Sequence, residues 1–298
     1  MKIIQPKQIA LETGLLATNV SDSTYPEYDE DVTYTTGQRV VVYSNVFREY
    51  EALTTVTGTY PPLGSSSGTL QWLDLGPTNR YGMFDGQAGT ETRRADVIDV
   101  TITPPSPVDS VAFFGLVADQ IVLEVIGPAP GNDILATRTV DLTLASLNPL
   151  EGPQRIGDTA VFGLPAVAGM KIRAVITIAE GDAVCGLMLP GVAKALGTTQ
   201  VGSSVGIIDF SRKEVDAFGR PMIVKRRFSK RGSFRLVMPN EIVDAVHKTL
   251  SNYRAEPVAW VGVQGLQSTV IYGWYRDFDL VISGPTVSTC TLSVEGLF

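Results

Sequence analysis

The chain has 298 residues, a formal net charge of −7 and only 18% charged side chains, below the roughly 25% usual for soluble domains, so much of its surface is expected to be covered by partners. The acidic balance excludes a dedicated nucleic-acid binder, which gains affinity by neutralising phosphates, and one histidine with two cysteines excludes a disulfide scaffold and an ordinary zinc site. Every apolar run stops short of the roughly 20 residues that span a bilayer, and the start MKIIQPKQIALETG has no signal-peptide core, so synthesis and folding in the cytoplasm are expected, with Cys185 and Cys290 reduced and buried.

In chain order, QRVVVYS (38–44) is the first clear strand pattern, β-branched and bounded by Gly37 and Asn45. The stretch WLDLGPTNRYGMFDG (72–86) is too irregular for a helix and too polar for a buried strand. Gly76-Pro77 allows a sharp reversal there, and Asn79 to Asp85 is expected to form the turn that joins one unit to the next. Strand patterns then follow at DVIDVTIT (96–103), SVAFFGLV (110–117), IVLEVIG (121–127) and KIRAVITIA (171–179), separated by turns such as TPPSP and GPAPGND. Further strands are expected at SFRLVMP (233–239), TVIYGWYRDFDLVIS (269–283) and STCTLSVEGL (288–297). One helix is predicted from about Asn240 to Arg254, because Ile242, Val246, Leu250 and Tyr253 recur at helical spacing, Glu241 and Asp244 lie in the first turn, and Pro257 marks the exit.

The reading is a mainly-β protein of three units: residues 1–90, a β-sandwich of jelly-roll type over 91–196, and a sheet with one helix packed on it over 197–298.

Motifs for chemistry are scarce. G-x-S-x-G occurs at 202–206 and at 64–68, but a hydrolase would need a strand-to-helix elbow and a histidine base, and His247 lies in the helix. Glu27, Asp29, Glu30 and Asp31 lack the spacing and central glycine of a calcium loop, and Asp74 and Asp85 read as turn residues before they read as a glycosidase pair. No catalytic residue, cofactor or metal is assigned. Tyr34, Tyr43, Phe47, Tyr50, Trp72 and Tyr81 could stack on sugar rings or form the core of a small module. KRRFSKRGSFR carries Lys225, Arg226, Arg227, Lys230, Arg231 and Arg235. It is either a contact for phosphate or an acidic partner, or the solvated basic face of a strand pair.

Residues 32–72, VTYTTGQRVVVYSNVFREYEALTTVTGTYPPLGSSSGTLQW, resemble the small chitin-binding type of carbohydrate module. Tyr34, Gly37, Val40, Tyr43, Tyr50, Pro61 and Trp72 match its pattern, while Phe47 and Arg48 stand where such modules more often have Gly and Tyr. With the flanking LATNVSDSTYPEYDEDVTYTTGQRV and WLDLGPTNRYGMFDG, and with VGIIDFSRKEVDAFGRPMIVKRRFSKR, the helix and YGWYRDFDLVI towards the C-terminus, nearly the whole chain resembles tail structural proteins of tailed bacteriophages and prophages. The middle, VDSVAFFGLVADQIVLEVIG, is similar to a galactose-binding-like jelly roll in strand rhythm. The resemblance implies a non-enzymatic virion component of the distal tail or baseplate. It implies a homo-oligomeric ring that contacts other tail proteins and a tail fibre or receptor-binding protein, with Lys225, Arg226, Arg227, Lys230 and Arg231 at the assembly interface. The alternative is a host-surface carbohydrate-binding adsorption protein using Tyr34, Tyr43, Tyr50 and Trp72.

Overall fold

The fold is mainly β, as the alternating patterns require. The computed structural model describes residues 1–9, 14–22, 25–44, 46–66, 68, 70–144, 154–215 and 218–297. The first two strands, β1 (Lys2–Pro6) and β2 (Leu15–Thr18), pair far along the chain. A small module follows, built from β3 (Thr33–Tyr34), β4 (Arg39–Ser44), β5 (Val46–Ala52), β6 (Val56–Thr57), a single helical turn at Pro61–Gly64 and β7 (Trp72–Pro77). Its strands form a three-stranded sheet in the order β4-β5-β7 and a β3-β6 ribbon. Period-two alternation sends Val40, Val42, Tyr50 and Ala52 inward, where they meet Tyr34, Val56 and Trp72.

The sandwich contains β8 (Thr92–Ile102), β9 (Ser110–Phe114), β10 (Gln120–Ile126), β11 (Ile134–Asp141), the ribbon β12 (Thr143–Leu144) and β13 (Gln154–Arg155), β14 (Thr159–Phe162), β15 (Lys171–Cys185) and β16 (Leu187–Ala195). One layer has the order β11-β10-β15-β8-β2; the facing layer is β14-β9-β16. Between them lies a core that includes Ile98, Val100, Ile102, Phe113, Ile121, Leu123, Ile172, Ile176 and Met188. Strand β15 carries a register shift between Thr177 and Asp182, so a single long strand serves β10 with its first half and β8 with both.

The rest of the chain gives β17 (Thr198–Thr199), β18 (Ser204–Asp209), β19 (Arg212–Val215), β20 (Pro221–Val224), β21 (Phe228–Pro239), the helix Val243–Asn252, β22 (Val258–Val261), β23 (Val270–Ile282) and β24 (Val287–Gly296). These strands continue the facing layer in the order β14-β9-β16-β1-β22-β23-β24-β21-β17, with β18 also on β21. The boundary expected at residues 196/197 therefore falls inside one continuous sheet, and β1 and β2, expected in the first unit, pair with the other two. The reason is in β1 itself. Ile3 packs with Trp260, Leu250 and Phe234 on one face, and Ile4 with Phe114, Leu189 and Tyr272 on the other. Such a strand is satisfied only between two partners. The close approach of β16 also fixes Gly191, where a Cβ would collide with the Gln5 carbonyl and Ile4.

The predicted helix forms, opened by a 3-10 turn at Asn240–Ile242 and closed at Tyr253. Val246, Leu250 and Tyr253 are buried against the sheet with Tyr275, and Phe278 and Leu280 pack at the margin.

Candidate functional site

Of the four rings expected to meet sugar, Tyr34, Tyr50 and Trp72 are core residues; Tyr43 alone is exposed, at 57%. Trp72 donates from Nε1 to the Thr59 carbonyl at 2.9 Å, and Tyr34 meets it edge-on with ring centroids 5.4 Å apart. Gly64 makes the seat for the indole, since a Cβ there would lie 2.6 Å from Trp72 Cδ1. Tyr43 packs edge-on against Phe47 at 4.1 Å, and Phe47 stacks on the buried Tyr81 at 5.9 Å. Arg48, on the neighbouring position, holds Asp74 at 3.0 Å. The module thus spends three of the four rings on its own core.

The stretch 72–86 is more regular than its composition implies. Trp72–Pro77 is a strand on β5 rather than a reversal at Gly76-Pro77, and a 3-10 turn follows at Gly82–Phe84. The expected junction, Asn79 to Asp85, follows the strand and contains that turn. Asn79 grips the backbone of Arg93 twice, accepting from its N–H at 2.7 Å and donating to its carbonyl at 2.8 Å. Met83 is fully buried in the sandwich core, with its N–H donating to Thr92 Oγ1 at 3.0 Å. Tyr272 of β23 donates to the Gly86 carbonyl at 2.8 Å, so the same loop is tied to the C-terminal sheet.

Asp85 Oδ1 accepts from the Gln87 N–H at 2.8 Å and Thr90 Oγ1 at 2.9 Å, while buried Oδ2 has no hydrogen-bond partner among the described residues. Burial raises its pKa above the ordinary aspartate range, and burial together with the Asp85 charge pushes Tyr272 up to about 12. A carboxyl whose folded pKa lies above its unfolded value makes folding less favourable as pH rises out of the range near 3.9. Asp85→Asn keeps the Oδ1 acceptor and removes the charge. The variant should be more stable than the parent at pH 7, with the difference shrinking as pH falls towards 4. Denaturant melts at the two pH values test this, and an equal difference at both would contradict it.

The five basic residues expected at an interface lie in three different settings. Lys230 turns inward, with Nζ 2.6 Å from Asp158 Oδ2, while Asp158 Oδ1 accepts from the Gly115 N–H at 3.0 Å. That ion pair couples β21 to the sandwich. Arg231 lies over Gly206 beside Arg276 and Glu295, lining an open cleft of about 400 Å³ on the face of the C-terminal sheet. Lys225, Arg226 and Arg227 are exposed at the root of a β-hairpin. Arg227, with Phe210, Phe228 and the buried Ser229 hydroxyl, which has no hydrogen-bond partner among the described residues, lines a second open cleft of about 550 Å³ against residues 88–91.

The hairpin is the feature that the sequence reading missed. Among the described residues, strands β19 and β20 pair only with each other, and every residue of β19 is exposed, as are Pro221, Met222 and Ile223 of β20. Exposure on both faces means that the hairpin stands clear of the body as an arm. Lys213 is paired with Ile223 and Val215 with Pro221, so these four share one face, and Phe218 is 84% exposed in the turn. A signal was present in VGIIDFSRKEVDAFGRPMIVKRRF, whose alternating apolar residues sit among cations.

The remaining motifs are structural. Gly202–Gly206 runs into β18 without an elbow, and Ser67 of the other copy lies outside the described residues. His247 is exposed with its ring 5.6 Å from Phe278. Asp29 Oδ1 accepts from the Asp31 N–H at 3.0 Å, a local turn. Among the described residues no three His, Cys, Asp or Glu side chains converge on a metal position. Cys185 and Cys290 are buried and unpaired, their thiols pushed up to about 12 and about 11 by burial, so neither supplies a thiolate nucleophile at neutral pH. No helix of the described residues is long and apolar enough to cross a membrane. A scan against family models and a search of curated proteins return no match.

Proposed function

We propose that the chain is a structural subunit of a bacteriophage tail, at the distal tail or baseplate, which assembles as a homo-oligomeric ring in the virion and carries the attachment of host-recognition parts. The observation that carries this reading is the exposed arm of β19 and β20. A monomeric protein rarely leaves Val215, Phe218, Met222 and Ile223 together in water, each of them more than half exposed, and such patches mark surfaces that a partner covers. The low charged fraction points the same way. The resemblance along nearly the whole chain supplies the kind of assembly, and closed rings are the ordinary outcome of head-to-tail contacts between identical subunits. The carbohydrate-binding alternative has less support, because three of its four rings are packed inside the module. Mass spectrometry of purified particles, with electron microscopy of the tail, tests the proposal: the chain should be present in several copies per tail, and particles lacking it overturn the reading.

A further inference from the structure

The arm is basic on a chain that is acidic overall. Arg212, Lys213 and Arg220 on the arm, with one exposed acid in β19, Glu214, and Lys225, Arg226 and Arg227 at its root flank its apolar residues, while the whole chain carries −7. A surface of that sign on a body of the opposite sign is complementary to another copy of the same molecule, and charge complementarity selects and orients partners. The receiving surface has to be apolar, exposed and acidic. The outer face of the β4-β5-β7 sheet meets these conditions. Tyr43, Leu73 and Leu75 are exposed there, Leu73 is paired in register with the half-buried Glu51, which Arg39 holds at 2.8 Å, and the half-buried Glu49 is the next outward position on β5. Glu27 and Glu30 are exposed on the segment that runs along β4 through the bridge between Glu27 and Val41. β7 is also the open edge of that sheet.

We infer that the β19-β20 arm of one copy docks on the outer face of the β4-β5-β7 sheet of a second copy, with Val215, Phe218 and Ile223 covering Leu73, Leu75 and Tyr43, and the arm's cations facing Glu49 and its acidic neighbours. This rests on the reading of the chain as a self-assembling subunit and names the two surfaces that would meet. The contact is head-to-tail, because arm and receiver are different parts of the chain, so it leads to a ring or a filament rather than a two-fold dimer. It also gives the module a task that does not need its buried rings.

The test uses the full chain with a photoreactive phenylalanine analogue at Phe218, where 84% exposure makes an effect on folding small. Isotopically light and heavy chains are mixed, irradiated and mapped by mass spectrometry. Cross-links between copies should fall within residues 39–77, and assembly measured by sedimentation should weaken with salt. Ile223→Ser and Leu73→Ser, both at exposed positions, should each weaken association about tenfold while leaving the melting temperature unchanged. Cross-links that land on another surface, or a chain that stays monomeric at every concentration and salt tested, overturn the inference. Cross-links elsewhere with the chain present in particles would remove this contact and leave the tail assignment standing. Absence from particles removes that assignment, and the cross-link map of the purified chain still decides the contact.

Discussion

Trp72→Ala should lower the stability of the N-terminal module by about 3–5 kcal/mol, the usual range when a large aromatic is cut from a packed core. The indole is 1% exposed, makes edge contacts with Tyr28 and Tyr34, and sits against Gly64 with no spare room. Truncation would leave a cavity that a module closed by two short sheets cannot collapse to fill, and the Thr59 carbonyl would lose its donor. Because the module's core is separate from the sandwich core, the loss should register as an early transition, while the near-ultraviolet signal of the buried Trp260 persists to the main one. The opposite result, unchanged melting with lost binding to chitin oligosaccharides, would mean that the ring works at the surface as a sugar platform. Trp72→Phe should fall between parent and alanine.

The same residue shows what a sequence can and cannot state. Its neighbours Leu70 and Leu73 are exposed, and nothing local says that the ring between them turns inward. The information lies in Gly64 and in Tyr34, the latter distant in sequence, which together shape its seat. The helix was legible because its packing is set by local periodicity, and Val246, Leu250 and Tyr253 occupy the inward face that the 3.6-residue repeat gives them. Strand content was legible for the same reason. Pairing was not, since the register of a strand depends on partners that can lie nearly two hundred residues away, as Lys2 opposite Ala195 does. The arm was missed for a third reason. Val215 and Ile223 carry apolar side chains in strands, as core residues do, yet both are exposed, because a strand pattern reports a face without saying whether the covering layer belongs to the same molecule. Lys230 is the converse: one cation of a basic run is taken inward by Asp158, a carboxylate 72 residues earlier.

Ile4→Asp should abolish cooperative folding of the sandwich and the C-terminal sheet together. Ile4 is fully buried between Phe114, Leu189 and Tyr272, and β1 lies between β16 and β22 in register, with Ile4 opposite Ala193 on one side and Ala259 on the other. A carboxylate there has no cation within the apolar cluster. It must stay charged at a cost of several kcal/mol or take up a proton against a large pKa shift, and either route is a sizeable part of the roughly 5–15 kcal/mol that holds a typical domain. The damage should not remain local. Ile3, on the opposite face of the same strand, belongs to the core beneath the helix, so displacing β1 empties a place in both cores and exposes the ladder edges of β16 and β22 to water and to other chains. Ile4→Val removes a single methylene and should cost only about 0.5–1.5 kcal/mol with one sharp transition retained. Hydrogen exchange on a milder variant, Ile4→Ala, separates the two pictures: amides of β16 and β22 should lose protection together, since β1 is the shared element that makes the two halves one cooperative unit. Fraying confined to residues 2–6, with β16 and β22 still protected, would show that the sheet holds without its central strand.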